Sequence, residues 1–160
     1  MKKLIAALGL VALTTVPAAA SDDAKFPQVM TLSGTCLKLI LGKRDATGQC
    51  KGVIVNAAYA SGASSFMFVV ADTAIVSFYG KDNKAVGDNA VINVDHVTVT
   101  AVGDPKAKPV TVSAEGQCTY TNPYAGPSHV DCSARAVGMD FTASFVSDGK
   151  PPAAMDAPAS

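Results

Sequence analysis

The chain is 160 residues long, one domain's worth, with 13 Lys and Arg against 13 Asp and Glu. Setting aside a basic leader that contains Lys2 and Lys3 leaves 11 basic side chains against 13 acidic ones, so no basic field exists to hold a nucleic acid. All eight Leu lie at or before Leu41 while Val and Thr run through the remainder, which argues against a helical bundle and for an all-β chain.

The first element is that leader. Lys2 and Lys3 precede an uncharged apolar run from Leu4 to Val16, and Pro17 leads into Ala18, Ala19 and Ala20 before Ser21. This is the pattern of a secretory signal cleaved between Ala20 and Ser21. The apolar run of 13 residues falls short of the roughly 20 that a spanning helix needs. No Cys follows the cleavage point closely enough to carry a lipid, the first being Cys36, so the expectation is a periplasmic or secreted product with no membrane attachment after signal removal. The domain organisation expected is therefore a signal over 1–20, a single β domain over 21–150 and a disordered C-terminal tail over 151–160.

Four Cys in an exported chain read as two disulfides. Thirteen residues separate Cys36 from Cys50, and thirteen separate Cys118 from Cys132. Each interval brackets a turn signal, Gly42 to Gly48 in one and Asn122 to Pro127 in the other, so the pairing expected is Cys36 with Cys50 and Cys118 with Cys132, each stapling a hairpin. Gly34 and Gly116 stand two residues before the first Cys of each pair, an offset of 82, and a third strand pattern follows each staple. That repetition suggests an internal duplication of a stapled hairpin, with Ala74 to Val112 inserted between the copies.

Period-2 alternation marks the strands in order. Cys36 to Leu41 and Val53 to Tyr59 come first, and the Ser61-Gly62 turn leads to Phe66 to Ala71. Asp72-Thr73 makes a tight turn into Ala74 to Tyr79, which Gly80 to Lys84 closes. Val91 to Val102 is the longest run and stops at Gly103-Asp104-Pro105, since Pro lacks a donor and has a fixed φ. Val110 to Tyr120, Val130 to Val137 and Phe141 to Val146 complete about eight short strands, which predict an antiparallel barrel or sandwich. The interior set expected is Leu37, Leu39, Val53, Val55, Phe66, Phe68, Val97 and Val99. Pro151 to Ser160 has too little bulk to bury and is read as the tail.

Chemistry is sparse. There is no G-x-S-x-G, no phosphate loop and no H-E-x-x-H. Asp95-His96 is an adjacent acid and imidazole, but strand neighbours point to opposite faces, so the pair is read as unable to act together and His96 as a half-buried ring bonded locally. His129 three residues before Cys132 does not make a zinc set, and Asp82, Asn83, Asp88 and Asn89 do not have calcium-loop spacing. No catalytic residue, metal or cofactor is expected; paired carboxylates from different strands would suit glycoside hydrolysis, but the absence of Trp to stack on a sugar ring weakens that reading.

Gly34-Thr35-Cys36, Ala74 to Gly80, Gln117 to Tyr124, Val130 to Ala134 and Phe145 to Pro152 together resemble a group of small exported, disulfide-containing proteins of Gram-negative bacteria. The resemblance implies export and carries no activity with it. Two functions are open on the residues alone. One is a non-catalytic module for protein interaction or inhibition, with an exposed loop on a rigid sheet. The other is a carrier for a small apolar ligand inside the barrel. For the module, the contact loop expected is Tyr120, Tyr124 and His129, around a turn stiffened by Pro123, Pro127 and the disulfide.

Overall fold

The computed structural model describes residues 28–86, 89–104 and 106–155. The signal segment and its cleavage point at Ala20 and Ser21 lie outside the described residues, as do residues 156–160 of the tail. The strands are β1 (Gln28–Leu41), β2 (Arg44–Asp45), β3 (Cys50–Ala58), β4 (Ala63–Val70) and β5 (Ala74–Val86). After these come β6 (Asn89–Ala101), β7 (Val110–Thr121), β8 (His129–Ala136), β9 (Met139–Ser147) and β10 (Ala153–Ala154). A 3-10 turn over Thr47–Gln49 leads into β3.

All ladders are antiparallel, and consecutive long strands are neighbours from β3 to β9. The sheet closes through β1, whose first half, Gln28 to Ser33, pairs with β3 while its second half, Gly34 to Leu41, pairs with β9. Eight long strands thus form a closed barrel, with β2 and β10 as short additions on β1. Gly34 stands where β1 changes partners. A Cβ built on it would lie 2.0 Å from the Val146 carbonyl oxygen, and a Cβ on Gly52 would lie 2.6 Å from the Gly34 oxygen, so the two strand crossings need bare backbone there.

The interior is a continuous apolar core. Phe68, Phe78, Phe145, Leu39, Ile54, Ile92, Val76, Val97 and Val130 are all fully buried, and Phe68 meets Phe78 edge to face at 5.8 Å between ring centres. Of the expected interior set, Leu39, Phe66, Phe68 and Val97 are buried and Val99 packs against them. Leu37 is instead 52% exposed, because a bulge between Cys36 and Lys38 shifts the alternation by one residue. Ile54 occupies the core while Val53 and Val55 are only half-buried, so β3 runs in the opposite phase from that read off its valines.

Both disulfides form as spaced, and with them the fold class expected. Cys118 and Cys132 face each other directly across β7 and β8, with Cα atoms 4.0 Å apart. Cys36 and Cys50 continue the β1–β3 register past its last pair, Ser33 with Val53, at 5.9 Å. The two stapled hairpins each begin a three-stranded meander, β1–β3–β4 and β7–β8–β9, with β5 and β6 between them. The formed disulfides indicate an oxidising compartment. Among the described residues no helix is long and apolar enough to cross a membrane.

Two further readings are corrected. Gly80 to Lys84 does not turn; β5 continues to Val86 beside β6, because bare Gly80 admits the Asn93 carbonyl at 1.9 Å from where a Cβ would sit, letting the strands cross closely instead of reversing. The tail is not wholly without structure, since Ala153 and Ala154 pair with Thr31 and Met30 and Met155 N–H donates to the Val29 oxygen at 2.9 Å. The free edge that β1 presents beyond β9 supplies the missing partner that composition could not show.

Candidate functional site

At the end of the barrel where β7 passes into β8, Asn122 starts the connecting loop. Its side chain accepts from the Tyr124 N–H at 3.0 Å, a local turn that such residues favour. The loop's far end is anchored at buried Ser128, which donates its N–H to Ser147 Oγ and its hydroxyl to the Thr121 oxygen, both at 2.8 Å. Pro127 packs against the backbone at Gly149. The loop is therefore tied at both ends, as the prolines and the nearby staple suggest.

The three expected contact residues are not brought to one surface. Tyr120 pairs with Val130 on the inward-facing row and meets Phe66 edge to face at 5.1 Å, partly buried against the core. Tyr124 is 63% exposed and its hydroxyl reaches Met30 Sδ at 3.2 Å, across the barrel mouth. His129 begins β8 in the outward row with Asp131, Ser133 and Arg135, on the far side of the wall from Tyr120. Register decides this, because Tyr120 and His129 fall on opposite parities of a paired ladder.

Beside the loop an apolar pocket of about 30 Å³ lies between Met30, Leu32, Phe66, Tyr120, Pro123 and Pro152. Sites that hold a small ligand measure roughly 300–1,000 Å³. Larger, open concavities lie on the outer wall of β7, β8 and β9, one of about 460 Å³ among Lys38, Gln117, Thr119, Asp131, Ser133 and Ser144. Next to them Arg135 donates to Asp140 at 2.7 Å, a pairing that holds the guanidinium still more firmly charged. No cluster of three or more His, Cys, Asp or Glu able to hold a metal occurs among the described residues.

A second cluster sits on the outer wall of β5 and β6. The ladders shift register at Tyr79/Gly80 and at Val94/His96, making Asp95 a bulge residue. The bulge turns the Asp95 carboxylate onto His96 Nδ1, so the two side chains do meet, contrary to the strict alternation expected of strand neighbours. His96 is nonetheless the half-buried, locally bonded ring that was expected. Its face stacks on Tyr79, with ring centres 5.1 Å apart and planes 10° from parallel. Tyr79 in turn shares a hydrogen bond of 2.6 Å with the hydroxyl of Tyr59, which lies in the turn between β3 and β4. Tyr79's hydroxyl, and burial after it, push the Tyr59 phenol up to about 12. Ser65, opposite Tyr79 on β4, is fully buried although outward, and its Oγ has no hydrogen-bond partner among the described residues. No sequence signal joins Tyr59, Tyr79 and His96, since three strand registers must be known before they meet.

Comparison of the chain with protein-family models, with curated proteins and with solved structures returned no match.

Proposed function

We propose that the chain is an exported, periplasmic or secreted β module that performs no catalysis and acts by contact with another protein, as an interaction domain or an inhibitor. The observation that carries this reading is the packed barrel interior, where Phe68, Phe78, Phe145 and their neighbours occupy the space a carried ligand would need. The sense of the alternation supports a water-facing barrel: apolar side chains fill the inside, while Asp131, Ser133 and Arg135 line the outside of β8, the reverse of a barrel seated in lipid. The anchored loop with exposed Tyr124 supports a contact role, because a loop already ordered loses less entropy on binding.

The alternative is a small-ligand carrier, favoured by the apolar pocket between Met30, Phe66 and Tyr120, which would have to widen by displacement of lining residues such as Pro123. Native mass spectrometry of protein recovered from the periplasm separates the two. The module reading expects a mass that begins at Ser21, contains two disulfides and includes nothing else. A small apolar molecule retained under gentle ionisation and lost under harsh ionisation would replace it with the carrier.

A further inference from the structure

The chain contains four tyrosines, Tyr59, Tyr79, Tyr120 and Tyr124. Two of them place their phenol oxygens 2.6 Å apart with ring centres at 6.2 Å and planes 38° from parallel. Both rings are half-buried on the outer wall, so neither is closed off from solvent. The other two tyrosines stand elsewhere, Tyr120 against Phe66 in the core and Tyr124 against Met30 at the barrel mouth.

We infer that Tyr59 and Tyr79 form an oxidative coupling site, which hydrogen peroxide and a haem peroxidase would convert to an intramolecular dityrosine. Each phenol loses one electron and one proton to give a phenoxyl radical. The two radicals join through the ring carbons ortho to their oxygens, and the hydrogen on each joined carbon moves to its own oxygen to restore the phenol. Two hydrogen atoms leave the protein in all, and one peroxide takes them up to give two waters. Phenol oxygens already in contact place those ortho carbons near one another, and proximity of this kind favours coupling within a chain over coupling between chains. Rotation about the side-chain bonds brings the rings together, and Tyr59 sits in a turn held by its N–H to the Ala63 oxygen at 2.9 Å. The disulfides indicate an oxidising compartment, which is compatible with such a modification. The link would tie the β3–β4 turn to β5, a part of the barrel that neither disulfide reaches.

The test treats the folded, disulfide-intact chain at low concentration with a haem peroxidase and hydrogen peroxide, then maps the peptides of the monomeric product. The expected result is a chain lighter by two hydrogens in which the Tyr59 and Tyr79 peptides are joined. Tyr59→Phe and Tyr79→Phe each abolish that product, and Tyr124→Phe leaves it intact. An internal link that survives Tyr59→Phe, a product joined only between chains through Tyr124, or no coupling at all would each overturn the assignment.

Discussion

A glycine at position 34 answers to a carbonyl rather than to a turn. The Val146 oxygen occupies the place where its Cβ would be, so Gly34→Ala must push β1 off β9 at the point where the barrel closes. We expect Gly34→Ala to lower stability by about 2–4 kcal/mol. Gly48, with nothing within 4 Å, is the matched control and should change by no more than about 0.5 kcal/mol as Gly48→Ala. Urea midpoints of the two variants decide the matter; equal midpoints would mean the crossing at Gly34 is looser than described. The phenol of Tyr59 makes a second test at this scale. Its value is raised to about 12 by the Tyr79 hydroxyl, so the neutral form is favoured in the folded chain. The stability it adds is present below the ordinary tyrosine value near 10 and disappears as pH climbs from there to about 12. Absorbance titration should show a late tyrosinate step that Tyr79→Phe moves back toward the ordinary range, and a titration unaltered by that change would refute the pairing.

At the scale of elements, each staple closes a hairpin of similar span, with a sequence separation of 14 in both. Loop-closure entropy assigns about 3 kcal/mol to a link of this length. Replacing Cys118 and Cys132 together by Ala should cost about that much while leaving β7 and β8 paired, because the ladder from Glu115 to Tyr120 does not depend on the sulfurs. Removing Cys36 and Cys50 should be felt more widely, since the β1–β3 ladder has already ended at Ser33 and Val53 and the disulfide links the two strands beyond that end. Hydrogen exchange in the two double variants would show local loss in the first and loss extending into β3 in the second. The same degree of loss in both would show that the two hairpins are equivalent in strength as well as in spacing.

For the whole molecule, stability and contact should separate. Phe68 is fully buried in the barrel interior, and Phe68→Ala should cost about 3–5 kcal/mol through lost packing and the cavity left behind. Tyr124 and His129 both lie outside the core, so the double change to Ala should leave the thermal midpoint nearly unaltered while weakening any protein contact made at that end of the barrel. Calorimetry measures the first part and cross-linking yield with a captured partner the second. Because His129 sits on the other side of the wall from Tyr120, the single variants also matter: if Tyr124→Ala alone accounts for the loss, the contact surface is the barrel mouth, and if His129→Ala does, it is the outer face of β8.

Some of this was legible in the residues themselves. Strand content followed from Val and Thr replacing Leu after Leu41, and the disulfide pairing from two equal intervals, because β propensity and loop closure are local properties of the chain. The interior positions of β4 were equally plain, Phe66 and Phe68 alternating with polar or half-buried neighbours. What failed to show were the places where one residue is added to a strand. The bulges at Leu37 and Asp95 invert which side chains face inward, and a one-residue slip moves a whole row to the other face. Closure of the barrel through β1, the capture of Ala153–Ala154, the separation of His129 from Tyr120 and the meeting of Tyr59 with Tyr79 all depend on register between strands remote in sequence. Register is set by how the two halves of β1 share their neighbours, a balance of packing and backbone pairing that exists only once the sheet has closed.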